Sequence, residues 1–314
     1  MPTGLQKTVQ FVATLLLLSW ALAAGEVRVS FLRETNVLRD TAKMLKQLKC
    51  EPGSIAAFEK AVKRYYTNEF QFDLGKFPKS SNGWYTFQSP SQLVAALPHR
   101  LEDTEHPYEL NCYDTVILLS AGHIRFGLQA DDLRGTILAP QTFTNGIVLR
   151  PVATARDAFA IIYPAWYLEA TAELWPPALQ ENRLTLATVF YRYRMLPLAG
   201  QGNPSDAVLK TLQASWKVDE IRFPSTFEIV LCHELKFPSL VTTHAGLLIP
   251  RNGGYTYIEK NGGSGPFVQL ELGNREDLIA WLSGHLFKDG KRGDGTHFFA
   301  TFNDARIQLL KIVE

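Results

Sequence analysis

Of the three cysteines in the sequence, Cys112 occupies the position that is typical of a reactive thiol. It follows Asn111, a good helix N-cap, and precedes an apolar run over residues 113–120 that predicts a buried helix. A thiol in the first helical turn faces unpaired N–H groups and the positive end of the helix dipole. These groups favour the thiolate and can stabilise a developing oxyanion. Cys112 is therefore a candidate nucleophile, and a small buried thiol or one half of a disulfide is the structural alternative.

A histidine and a glutamate on neighbouring predicted strands could complete a site with this thiol. His244 opens the predicted strand 243–249, and the small residues after it would let another segment approach closely. Across a hairpin turn at 251–254, the strand 255–259 runs back and places Glu259 near the level of His244. A carboxylate there can accept the second N–H of the imidazole and fix its tautomer. The alternative for Glu259 is an exposed residue at a strand end.

The remaining patterns predict an α+β fold. The predicted helices cover residues 35–49, 54–66, 204–216 and about 275–287; the predicted strands cover 227–235, 243–249, 255–259, 268–272 and about 297–302. Asn36 is the predicted cap of the first helix, and residues 71–100 are rich in loop signals. Residues 125–200 mix strand-like runs at 147–149 and 184–195 with a helix near 154–172. Strands that follow one another, with the helices set apart, favour α+β over a doubly wound sheet.

These motifs resemble the papain-like superfamily. The cysteine at a helix start, the strand His244-Ala245-Gly246-Leu247-Leu248 and a polar residue on the next strand look most like the NlpC-type bacterial cell-wall endopeptidases. The stretch around His244 also resembles an uncharacterised family of secreted bacterial proteins with that presumed fold. The resemblance implies Cys112 as nucleophile, His244 as general base and Glu259 as orienting residue, where the group usually has His, Asn or Gln.

The same resemblance implies a fold, a domain organisation and an activity. We expect a papain-like fold in which the cysteine-bearing helix packs on an antiparallel sheet. A helical N-terminal lobe and connector would span residues 25–95, and the catalytic domain 96–314, with a long insertion at about 125–225. The expected activity is that of an exported bacterial cysteine hydrolase, a peptidase or amidase that cleaves an amide bond. Peptidoglycan stem peptides would be its substrate, with an ordinary peptide or a lipid amide left open. A non-catalytic envelope binding module on the same scaffold, and a plain structural domain, remain open.

The N-terminus predicts export. Lys7 precedes an apolar run at residues 11–20, and the small residues that follow predict signal-peptide cleavage near Ala23/Ala24. The run is short for a membrane span, although an uncleaved anchor is the alternative. We therefore expect a secreted or periplasmic protein whose mature chain is not inserted in a membrane. In an oxidising compartment Cys50, Cys112 and Cys232 would allow any one of three disulfides and leave one thiol.

Composition excludes several classes of protein. The chain has 314 residues, of which 46% are hydrophobic and 20% charged, and its net charge is +1. This is ordinary globular composition, and the charge balance argues against a nucleic-acid partner. The run Cys232-His233-Glu234 invites a metal-binding interpretation. On a strand, however, His233 points away from the other two side chains, so we expect no metal and no cofactor.

Overall fold

The computed structural model describes most of the chain outside its N-terminus and a central region. The described residues are 26–67, 74, 76–97, 110–125, 172–177, 179, 194–196, 204–237, 239–261, 265–286 and 296–313. The predicted signal peptide, the strand-like run at 147–149 and nearly all of the helix near 154–172 lie outside these residues.

A single antiparallel sheet organises the described chain, which confirms the mixed α+β class. Its strands are β1 (Val27–Ser30), β2 (Tyr85–Phe87), β3 (Arg194–Met195), β4 (Glu228–Lys236), β5 (Ser239–Arg251), β6 (Gly254–Lys260), β7 (Phe267–Leu272), β8 (Thr296–Phe302) and β9 (Arg306–Val313). Their order across the sheet is β2-β1-β7-β6-β5-β4-β8-β9, and β3 pairs with one end of β5. The predicted strands β4 to β8 are all confirmed.

Helices cover both faces of this sheet. They are α1 (Thr35–Gln47), α2 (Pro52–Thr67), α3 (Pro90–Ala96), α4 (Cys112–Ser120), α5 (Pro204–Val218) and α6 (Arg275–Leu286). One apolar cluster joins α1, α2, α4 and α5 to one face, and a second joins α3 and α6 to the other. Because both faces are covered, the central strands are almost continuously buried, as in the segment Glu228–Lys236. We call these the α4 face and the α6 face.

Several short elements were not predicted from the sequence. Residues assigned to the helical lobe and its connector form β1 and β2, which belong to the same sheet as the later strands. The helix α3 lies within the segment 71–100, where loop signals dominate, and β9 follows β8 at the sheet edge. β1, β2 and α3 are short, so their apolar periodicity is too brief to stand out from the surrounding loops.

The predicted cap of the first helix is wrong by two residues. α1 begins at Thr35 with Glu34 in the N-cap position, and no side chain caps it by a hydrogen bond. The amide of Asn36 instead donates to the carbonyl of Asn82, at 3.1 Å. A tertiary contact has therefore taken the side chain that the local pattern assigned to the helix end.

None of the helices in the described ranges is both long and apolar enough to cross a membrane.

The helix α4 begins as the sequence predicted. The side-chain oxygen of Asn111 accepts a hydrogen bond from the N–H of Asp114 at 2.9 Å, and the Thr115 hydroxyl donates to the Asn111 carbonyl at 2.8 Å. Cys112 is consequently the first residue of the helix. An apolar helix of nine residues is marginal by itself, so its cap and its packing on β5 and β6 determine where the thiol lies.

We expect Asn111→Ala to lower the free energy of unfolding by about 1 kcal/mol, because it removes the acceptor for an N–H in the first turn of α4. Urea denaturation of the full chain measures this change. Asn111→Ser keeps a capping oxygen and serves as the matched control, for which we expect a smaller loss. Equal losses in the two variants would show that the cap contributes nothing beyond side-chain volume.

Candidate active site

His244 lies within β5 rather than at its start. β5 begins at Ser239, so the expectation that His244 opens the strand was wrong. The residue directly opposite His244 on β4 is Cys232, and the next pair is His233 with Thr242. Thr243 is therefore the extra residue of a β-bulge. The bulge allows Thr242 and His244, which regular pleating would put on one face, to point to opposite faces.

The bulge separates two buried histidines with different surroundings. On the α4 face, His233 contacts the hydroxyls of Thr301 at 2.8 Å and Thr242 at 3.1 Å. Burial lowers the pKa of His233 to about 3, so this imidazole is neutral. His244 instead points to the α6 face with Cys232, as the cross-strand pair requires. His233 is therefore part of the packed structure, and His244 is the histidine with a charged partner.

Glu259 is that partner, and it is fully buried. Its Oε2 lies 2.7 Å from Nε2 of His244, and its Oε1 accepts a hydrogen bond of 3.0 Å from the indole N–H of Trp281 on α6. Glu259 therefore lies next to His244, as predicted. It is not the exposed strand-end residue of the alternative interpretation. Both carboxylate oxygens have a donor, which is what a charged group needs when it is removed from water.

The thiol of Cys112 reaches this pair through a gap in the sheet. β6 pairs with β5 from Gly246 onward, and β3 pairs with it at 239–240. Between these pairings the start of α4 lies against β5, where the Tyr113 hydroxyl donates to the Thr242 carbonyl at 2.9 Å. The Cys112 side chain thereby lies beside the His244 imidazole and contributes to its raised pKa. Nε2 is occupied by Glu259, so Nδ1 is the ring atom available to the thiol.

The electrostatics of the three groups favour a charged imidazole. Burial by itself lowers the pKa of His244, but the adjacent Cys112 and the Glu259 carboxylate outweigh it and raise the pKa to about 10. Burial by itself raises the pKa of Glu259, but the His244 charge and hydrogen bond, the His285 charge and the Trp281 hydrogen bond hold it below its usual value. In a medium of low dielectric constant such attractions are stronger than in water. The arrangement can therefore hold an imidazolium beside the buried Glu259 carboxylate and the Cys112 side chain.

The three cysteines form no disulfide, and they differ in their surroundings. Burial raises the pKa of Cys50 to about 11, and burial together with the Glu259 and Cys112 charges raises that of Cys232 well above its usual range. Cys112 alone lies beside an imidazole and at a helix start, and it is 4% exposed. The other two cysteines can therefore serve as internal references for its reactivity.

A tyrosine and a glycine complete the α6 face of the site. Tyr257 is two residues from Glu259 on β6, and its ring lies over Gly246, where any Cβ would overlap the phenol. Burial and the Glu259 charge raise the pKa of Tyr257 well above its usual range, so the phenol keeps its proton. Gly246, two residues after His244, is thus needed for the Tyr257 ring to pack against β5.

Sequence reasoning missed the residues that hold Glu259 from α6. Besides Trp281, His285 stacks on the indole with ring centroids 4.6 Å apart and contacts the Asn261 side chain at 3.1 Å. The spacing of Trp281 and His285, four residues apart, places them on one helical face and is the only sequence signal for the pair. It does not indicate which strand residue that face meets.

Metal chemistry has no candidate site in the described ranges, where no group of three or more His, Cys, Asp or Glu side chains could hold an ion.

Comparisons with known proteins identified no relative. No family model matches the chain, and neither a curated protein nor a solved structure matches it. Function is therefore argued from the geometry of the site.

Trp281→Phe tests the hydrogen bond to Glu259 while an aromatic ring remains. We expect the free energy of unfolding to fall by about 1.5–3 kcal/mol, the range for a hydrogen bond to a charged group, beyond the effect of the smaller ring. Trp216→Phe is the matched control, since Trp216 is also buried and its indole N–H bonds to no described residue. Equal losses in the two variants, measured by urea denaturation, would contradict the role assigned to Trp281.

Glu259→Gln tests the ion pair through the pH dependence of stability. The contribution of His244 is full below pH 6.5 and is lost as the pH rises through about 10, because its folded pKa is raised. The contribution of Glu259 is present above pH 4.5 and is lost as the pH falls through its lowered folded pKa. We therefore expect the stability difference between wild type and Glu259→Gln to be largest between these limits and to narrow on both sides.

NMR titration of the imidazole provides the second readout for this variant, in which we expect the pKa of His244 to fall. Asp40→Asn, which removes an exposed carboxylate on α1, is the control and should leave both curves unchanged. An unchanged His244 titration in Glu259→Gln would contradict the ion pair.

Proposed function

We propose that the protein is a cysteine hydrolase that cleaves an amide bond, built on a papain-like fold of NlpC type. The observation that carries the proposal is the position of His244, whose imidazole is bonded to the buried Glu259 and within reach of the thiol of Cys112. A nucleophile, a base in contact with it and a third group that orients the base are the requirements for nucleophilic acyl transfer. The helix start beside the thiol supports the same chemistry.

In the proposed reaction the Cys112 thiolate attacks the carbonyl carbon of the amide. The N–H groups at the start of α4 stabilise the oxyanion that forms. His244, charged in the resting pair, gives its proton to the leaving amine as the C–N bond breaks. Water then attacks the thioester and gives a proton to His244, which releases the carboxylic acid and restores the thiolate and the charged imidazole. Glu259 keeps the imidazole oriented and stabilises its positive charge throughout.

Peptidoglycan stem peptides are the proposed substrate. This choice rests on the resemblance of the motifs around Cys112 and His244 to cell-wall endopeptidases and on the predicted signal peptide. The proposed setting is accordingly the periplasm or the cell exterior. The alternative, a binding module on the same scaffold, requires only that Cys112 be unreactive, so one experiment separates the two.

That experiment is the rate of iodoacetamide alkylation of each cysteine against pH, read by peptide mass spectrometry. We expect Cys112 to react at pH values well below about 8.5, the pKa of an ordinary free cysteine, while Cys50 and Cys232 remain unmodified. His244→Ala should abolish the low-pH reaction, and His297→Ala, a change on the distant strand β8, should not. An inert Cys112, or one indifferent to His244, would overturn the mechanism and favour the binding module.

The substrate is tested separately with purified peptidoglycan. We expect wild type to release new amino groups from stem peptides, and Cys112→Ala to lose at least about a hundredfold in rate, since the nucleophile is gone. Cys50→Ala is the control and should retain activity. Low-pH alkylation without peptidoglycan cleavage would keep the cysteine hydrolase and exclude this substrate.

A further inference from the structure

A polar cleft lies on the α4 face of the sheet. It is bounded by α1 on one side and by the strands β1, β6 and β7 beneath, and its volume is about 450 Å³. Gln269 on its floor alternates along β7 with Val268, which pairs with Glu259, so the cleft and the active site are on opposite faces. We call it the α1 cleft. Its volume is within the range of small-molecule sites.

Two arginines share one carboxylate in this cleft. Arg28 donates to Oε2 of Glu271 at 2.5 Å, and Arg251 donates to Oε1 of the same residue. Arg251 also lies 3.4 Å from the hydroxyl of Thr256, and the guanidinium of Arg28 is 4.8 Å from the centre of the Trp84 ring. A single carboxylate thus fixes two cations, and the trio keeps one net positive charge. A guanidinium has five N–H donors, so donors remain for a further acceptor.

The other walls of the α1 cleft strengthen this positive character. The first turn of α1 lines it, and this helix has no side-chain cap at its N-terminus. Backbone N–H groups there favour an anion. The rim carboxylate of Asp40 is 3.4 Å from both Arg39 and Lys43, so its charge is already offset. The lining itself carries balanced charges, Arg28 and Arg251 against Asp40 and Glu271, and Arg39 and Lys43 beside Asp40 add positive charge at its edge.

The α1 cleft also has a hydrogen-bonded polar floor and an apolar wall. The amide of Gln269 and the hydroxyl of Thr41 are both buried and 2.5 Å apart, which fixes the floor. Trp84, Val37 and Met44 supply apolar surface beside the arginines. A site of this composition matches a ligand with one anionic group and an apolar body.

We propose that the α1 cleft binds a small organic anion, a carboxylate or phosphate ester with an apolar body, whose oxygens bond to Arg28 and Arg251. The planar fork of a guanidinium binds either group through two parallel hydrogen bonds. The apolar body would lie against Trp84 and Met44. This proposal does not rest on the proposed hydrolase, because the lining of the cleft includes none of Cys112, His244 and Glu259.

Isothermal titration calorimetry of the full chain tests the proposal with three probes. N-acetyl-leucine carries a carboxylate, hexyl phosphate carries a phosphate ester, and N-acetyl-leucinamide is the neutral counterpart of the first. We expect saturable binding of at least one anion and at least tenfold weaker binding of the amide. The better of the two anions identifies the ligand class. Equal binding of acid and amide, or no binding up to about 10 mM, where a millimolar site would be filled, would overturn the proposal.

Variants locate the binding. Arg251→Gln and Arg28→Gln should each weaken binding of the better anion at least tenfold, whereas Arg64→Gln, on α2 and outside the lining, should not. Cys112→Ala should bind as wild type does, so failure of the hydrolase proposal leaves this one standing. If an arginine variant fails to fold, two-dimensional amide NMR spectra of wild type with and without the better anion locate the binding instead. Shifts confined to the Gln269, Trp84 and Asn36 side-chain N–H signals support the site, and shifts elsewhere overturn it.

Discussion

The fully buried carboxylate of Glu259 is the constraint on which the site depends. A charge removed from water is strongly destabilising unless it is paired and hydrogen-bonded, and breaking such a pair from one side leaves an uncompensated charge. His244 and Trp281 satisfy its two oxygens from two different elements. The register of β5 against β6 and the docking of α6 must therefore both be correct for this carboxylate to remain ionised in the core.

The same carboxylate links the architecture to the proposed chemistry. By stabilising a charged imidazole it distinguishes His244 from the neutral His233 on the neighbouring strand β4. Two buried histidines thus differ in charge, since His244 is charged and His233 is neutral. What separates them is the single extra residue at Thr243, which turns one side chain to each face.

Two faces of one sheet are used differently. The α6 face encloses the carboxylate and the imidazole among apolar side chains, where electrostatic interactions are strong and water is largely excluded. The α4 face leaves an open cleft next to α1, lined by Arg28 and Arg251. The thiol belongs to a helix of the α4 face and reaches the other face only because β6 and β3 leave part of β5 uncovered. Cys112 and His244, which are far apart in the sequence, come together at this gap.

The sequence by itself determined the local elements that present the chemistry. Asn111 before an apolar run specified a capped helix with Cys112 in its first turn, and alternating apolar runs around a hairpin turn specified β5 and β6. These signals are local, since caps, turns and periodicity act within a few residues. The tertiary structure alone decided that Glu259 is buried, that Trp281 holds its second oxygen and that the bulge turns His244 toward the thiol. Each of these depends on contacts between residues distant in the chain, and no local pattern encodes which surfaces will meet.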